Sequence, residues 1–133
     1  MCDTNIWIVY LKNASTCVRD RLERTAPSEI AVCSVVWAEL LHGARKYDKR
    51  ETRELRVEAT LVPFACLPFD LDSARHYARI RDGLERDGQV IGGNDLMIAA
   101  IALANQLILV TNNCREFERV DRLSIEDWSV GAV

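Results

Sequence analysis

Few histidines, no paired cysteines and no phosphate-binding loop mark this chain, and each shortage removes a class of chemistry. The two histidines, His42 and His76, are isolated on mixed helix faces, and neither is assigned a catalytic role. No serine sits in a GxSxG elbow. The segment GQVIGGND lacks the Lys-Ser/Thr signature of a nucleotide-binding loop. The five cysteines (Cys2, Cys17, Cys33, Cys66, Cys114) are odd in number and show no CxxC spacing, which disfavours zinc and a disulfide framework and leaves buried free thiols as the expectation. No apolar run approaches the roughly 20 residues of a membrane span. The segment MCDTNIWIVYLKN lacks a basic leader and is interrupted by Asp3, so the expectation is no secretory signal and a cytoplasmic location.

What is present is ordinary in bulk and uneven in detail. The 133 residues suit one compact domain, 1–133, and 49% hydrophobic with 28% charged residues is a globular composition. A net charge of -3 argues mildly against a nucleic-acid partner, but arginine and lysine crowd into RKYDKRETRELR (residues 45–56), and arginines recur in RHYARIRDGLER (residues 75–86). Such blocks serve as solvated helix faces or as phosphate contacts, and the sequence leaves both open.

Hydrophobic patterning predicts alternating short strands and helices. A very short strand at Met1-Cys2 precedes a helix over Thr4 to Lys12, and Ser15 or Thr16 caps a second helix ending near Arg24. A strand over Ile30 to Cys33 leads to a helix capped by Ser34 and ending near Lys46, followed by a charged helix from Lys49 to Leu61. Ala65 to Leu67 is the next strand, Asp70 or Asp72 starts a helix to Arg86, and Asn94 or Asp95 starts the apolar helix. Leu107 to Val110 reads as a strand buried on both faces, followed by a short helix, Arg115 to Val120, and a last strand near Ser124 to Glu126. The alternation predicts an α/β fold: a central, mostly parallel β-sheet flanked by α-helices.

In such sheets ligands bind beyond the carboxyl ends of the strands, where Asp3 and the TNN of residues 111–113 fall. Taken singly, each acid has a plain role. Asp3 is a good helix N-cap. Glu39, nearly opposite a face of Trp37, Leu41 and Ala44, suits an exposed position. Asp95 suits the first turn of a helix, by the dipole, although Gly92 and Gly93 before it allow close approach of a backbone or ligand. Asp95 also heads nine consecutive apolar residues, Leu96 to Ala104, against which a carboxylate must be capped, paired or bound to a metal. Three acids at one sheet edge repel one another unless a cation joins them, and all-oxygen ligands favour Mg²⁺ or Mn²⁺ over zinc. Such ions lower the pKa of water and clamp phosphate oxygens.

Four segments, DTNIWIVYL at Asp3, SVVWAELLHGA at Ser34, IGGNDLMIAAIALA at Ile91 and LVTNNCREFERVDRLSIEDW at Leu109, together resemble the PIN-domain ribonucleases, and more narrowly the VapC toxins of bacterial type II toxin–antitoxin pairs. The resemblance implies a PIN-like fold and a Mg²⁺- or Mn²⁺-dependent endoribonuclease acting on RNA. It implies a homodimer restrained by a cognate antitoxin that covers its cleft. Asp3, Glu39 and Asp95 match the acidic metal-binding positions, and Thr4, Asn5 and Thr111 match supporting polar positions. Asn113 stands where many PIN domains carry a fourth acid, and Glu116 is assigned that role here. Arg45, Lys46, Lys49 and Arg79 are the expected RNA-backbone contacts. Two other functions fit the acids: a phosphatase with Asp3 as covalent nucleophile, for which Asn5 replaces the usual second aspartate, and a binding module in which the acids only cap helices.

Overall fold

The computed structural model describes residues 1–131. Ala132 and Val133, the last two residues of the expected domain span, lie outside the described residues. Helices α1 (Thr4–Leu11) and α2 (Thr16–Arg24) precede a 3₁₀ turn (Pro27–Glu29) and strand β1 (Ala31–Cys33). Helices α3 (Ser34–Arg45) and α4 (Arg50–Leu61) lead to β2 (Ala65–Leu67), and α5 (Leu71–Arg86) and α6 (Gly93–Ala104) lead to β3 (Leu109–Val110). Helix α7 (Cys114–Phe117) and β4 (Ile125–Glu126) follow.

The strands pair in parallel, β1 with β2 and β3 with β4. Residues 1–3 join the two pairs. The Cys2 amide donates to Ala31 O on one side, while Val110 N donates to Met1 O and Asp3 N to Val110 O on the other. The array therefore runs β2, β1, residues 1–3, β3, β4. Because every strand runs the same way, Asp3 and Thr111 emerge at one edge, as expected of the sheet.

Several boundaries differ from the sequence expectation, each for a local reason. Cys33, not Ser34, is the N-cap of α3 and makes no side-chain cap, because β1 passes directly into the helix. Helix α6 begins before Asn94 and Asp95, with Gly92 as N-cap. Its glycines are not needed for space: a Cβ on Gly92 meets only Asp95 Oδ2 at 4.0 Å, and one on Gly93 meets nothing within 4 Å. At the other end, Gln106 takes a left-handed turn (φ 54°), and the amides of Gln106 and Leu107 donate to Leu103 O and Ala102 O. This Schellman closure uses up Leu107, so β3 is confined to Leu109–Val110, and Ile108 is 45% exposed. Cys66 is exposed, contrary to the expectation of buried thiols, whereas Cys2 and Cys33 are buried; all five cysteines are free.

The core lies between the sheet and the helices. Helix α6 buries Leu96, Ile98, Ala99, Ala100, Ile101 and Ala102 and packs on α5 and α3. Trp7 and Phe117 are fully buried in the same core, and Trp7 packs against Phe64 with ring centroids 5.1 Å apart. Among the described residues no helix is long and apolar enough to cross a membrane. Ile98→Ala, which removes a side chain with no exposure, is expected to cost about 2–5 kcal/mol in urea unfolding. Leu55→Ala, at a position 67% exposed, should stay within about 0.5 kcal/mol.

Candidate active site

Each acid is delivered to the carboxyl edge of the sheet by a different element. Asp3 closes the N-terminal segment and is 4% exposed. It does cap α1, with its carboxylate accepting from the Ile6 amide at 3.0 Å. Burial pushes its pKa up and the nearby charge of Glu39 adds to this, while the Thr111 hydroxyl and the Ile6 amide oppose the shift by hydrogen bonding the charged form. Thr111, fully buried, also accepts from the Asn113 amide at 2.9 Å, which ties the turn after β3 to the same point.

Glu39 is half-buried on α3 and not opposite the core. The buried stripe of that helix is Val36, Leu40 and Ala44, with Trp37 and Leu41 only partly covered, which brings Glu39 to the stripe's border. There its Oε1 accepts from the Thr4 hydroxyl at 2.7 Å, fixing α3 to the first turn of α1. Asp95 stands in the first turn of α6. Its pKa is pushed up to about 7, first by burial, then by a hydrogen bond and charge from Glu116, then by the charges of Glu39 and Asp3.

Asp3, Glu39 and Asp95 thus face one cleft of about 510 Å³ formed by α1, α3 and α4, with Thr4 and Asn5 beside them. Glu116 adjoins the cleft through Asp95. Among the described residues no three His, Cys, Asp or Glu side chains are drawn to metal-ligand spacing. The donor set still fits a hard divalent cation, because these groups offer oxygen alone and no thiol or imidazole lines the cleft among the described residues.

The basic residues are arranged differently from the sequence expectation. Lys46 lines the acidic cleft. Arg45 is paired with Glu54 at 2.9 Å and, with Lys49, borders a neighbouring depression at the start of α4. Arg79 lies with His76 in a separate cleft. The cations that do reach the acidic cleft include Lys12, Arg53 and Arg56. Arg53 and Arg56 belong to the basic block noted in the sequence, where three-residue spacing puts them on one helix face with Val57. Arg56 donates to the Leu11 carbonyl, an otherwise open acceptor at the end of α1. Nothing in the local sequence marks Lys12, the C-cap of α1.

A parallel sheet with carboxylates gathered at its carboxyl edge, under a rim of cations, defines an acid-centred α/β protein. The family model of the PIN domain matches residues 1–123. The chain belongs to the PIN-domain family, and its relatives within it are VapC ribonucleases. It is 40% identical to the tRNA(fMet)-specific endonuclease VapC of Shigella flexneri over 129 residues, 97% of each chain. It is 36% identical to ribonuclease VapC2 of Rickettsia felis, over 96% of each chain. Its fold, an α/β PIN fold, is similar to the crystal structure of DNA-bound VapBC from Salmonella typhimurium, with a TM-score of 0.91 at 38% identity over 96% of each chain. PIN-domain ribonucleases are in general metal-dependent.

Between about 3.8 and about 7 the folded chain keeps the Asp95 proton that the unfolded chain has lost. That group therefore stabilises the fold fully at low pH, and the contribution is lost as pH rises through about 7. In EDTA-treated protein, the urea midpoints of wild type and Asp95→Asn are expected to lie together near pH 4 (about the unfolded value), with wild type falling below the variant by about pH 8. A gap independent of pH would contradict the raised Asp95 pKa.

Proposed function

We propose that this chain, folded as one PIN domain over residues 1–133, is a Mg²⁺- or Mn²⁺-dependent endoribonuclease and the toxin of a type II toxin–antitoxin pair. The observation that carries the reading is the convergence of Asp3, Glu39 and Asp95 on one cation-rimmed cleft, with Glu116 close enough to Asp95 to raise its pKa. The nearly full-length similarity to VapC ribonucleases supports it independently.

Asp3, Glu39, Asp95 and Glu116 are the groups that would hold the cation. When bound, it supplies Lewis-acid polarisation of a phosphodiester and a lowered pKa for water. The protein's own part is orientation and charge. Thr4 holds the Glu39 carboxylate, Thr111 holds that of Asp3, and the buried body of α6 holds Asp95 at the sheet edge. Thr4, Asn5, Thr111 and Asn113 act as supporting polar residues rather than as reacting groups. Lys46, together with Lys12, Arg53 and Arg56, offsets the charge of an incoming phosphate backbone. Arg45, Lys49 and Arg79, outside this cleft, are left for more distant parts of the RNA.

Solved relatives are toxin–antitoxin complexes, one of them VapBC2 of Rickettsia felis bound to a promoter DNA fragment. By that likeness the chain pairs with a cognate antitoxin protein; our reading adds that the antitoxin covers the cleft, that the chain works as a homodimer, and that it acts in the cytoplasm on its RNA substrate.

The test is cleavage of RNA by purified, antitoxin-free protein in Mg²⁺ or Mn²⁺, with loss in EDTA. Asp3→Asn, which keeps the capacity to cap α1, and Asp95→Asn are each expected to lower kcat/KM by more than about a hundredfold, above what loss of a supporting residue costs. Thr4→Val should lower it about ten- to hundredfold. Full activity in Asp95→Asn, with the variant folded, would sink the assignment.

A further inference from the structure

The cleft has a feature that charge alone does not use. Tyr47, in the connection between α3 and α4, is 61% exposed although it is a large aromatic residue. It borders both the acidic cleft and the depression at the start of α4, so its ring marks the passage from one to the other. The ring is not loose. The Arg53 guanidinium lies 5.0 Å from its centroid, and Arg53 Nε donates to Asp48 O at 3.0 Å, which anchors the guanidinium to the same connection. One face of the ring is thereby backed by a held cation. Lys46, adjacent in sequence, and Lys12 line the same cleft, and among the described residues neither makes an ion pair.

We propose that Tyr47 is a base-stacking residue that selects unpaired nucleotides, taking the base next to the phosphodiester held at the acidic floor. An aromatic face beside unpaired cations is the arrangement that tracks single-stranded nucleic acid: the cations follow the backbone and the ring takes a base on its π-face. A base inside a duplex is stacked on its neighbours and has no face to offer the ring, so the arrangement favours loops and unpaired ends over helices. Arg53, by holding the ring, is a positioning residue. The inference rests on the proposed ribonuclease reading and deepens it by naming the substrate form.

The experiment uses short single-stranded RNAs carrying 2-aminopurine at successive positions, bound to the full chain in EDTA so that no strand is cut. Stacking on the ring quenches the fluorophore, and the quench is expected at one position only, lost in Tyr47→Ala and restored in Tyr47→Phe. Affinity for single-stranded RNA should fall about five- to tenfold in Tyr47→Ala, the loss of one base–aromatic stack, while affinity for a duplex of the same sequence stays unaffected. With Mg²⁺ the same variant should raise KM more than it lowers kcat. Absence of the quench at every position, equal losses for single strand and duplex, or an effect of Tyr47→Ala on antitoxin binding but not on RNA would each overturn the proposal. Because the binding arm needs no cleavage, an inactive wild-type protein in the Mg²⁺ arm would count against the ribonuclease reading and leave the stacking result to stand by itself.

Discussion

Carboxylates of one sign are forced together at the carboxyl edge of the parallel strands, and the core beneath does not let them separate. Asp3 is held by the central segment and by the hydrogen bond its carboxylate accepts from the Ile6 amide. Asp95 is held by a helix with most of its circumference buried. Burial first, and then the neighbouring Glu116, Glu39 and Asp3, push the Asp95 pKa up to about 7. In the proposed function a divalent cation held by these oxygens would offset the same crowding of negative charge without a proton.

The scaffold that imposes this crowding is small. Residues 1–3 supply the hydrogen bonds that join β1–β2 to β3–β4, so the segment carrying Asp3 is also the one that makes a continuous array. Thr4 then ties α1 to α3 through Glu39, and Thr111 ties Asp3 to the turn after β3. Supporting residues here do two things at once: they orient carboxylates, and they close the fold at the edge where the carboxylates lie. Asp3 caps α1 and also lines the acidic cleft, so the plain role weighed from sequence does not compete with the proposed one.

The acids were readable in the sequence because strand ends and helix starts are readable, and a carboxylate heading an apolar helix is conspicuous. The resemblance to PIN domains nominated Glu39 and Glu116, which local pattern left as surface residues; of the two, Glu39 lines the cleft. The cations were less readable. Arg45, Lys46 and Lys49 are neighbours in sequence, yet Arg45 turns to Glu54 and Lys46 to the cleft. Lys12 and Arg56 line the cleft where the end of α1 meets α4, with Arg56 donating to the Leu11 carbonyl. Long flexible side chains on an amphipathic helix sort by what the helix packs against, and a single chain does not carry that information locally.

The sequence by itself determined the alternation of strands and helices, the parallel sheet, and which acids stand at element ends, since hydrophobic period, capping and turn chemistry are local properties. Tertiary structure decided the rest. It set which face of α3 is buried, and so where Glu39 points; it closed β3 down to Leu109–Val110; and it left Tyr47 exposed beside the acids with Arg53 against its ring. These outcomes depend on pairs of elements distant in the chain coming into contact. The free energy that selects among such pairings is shared burial and charge across the contact, a quantity that no one segment possesses.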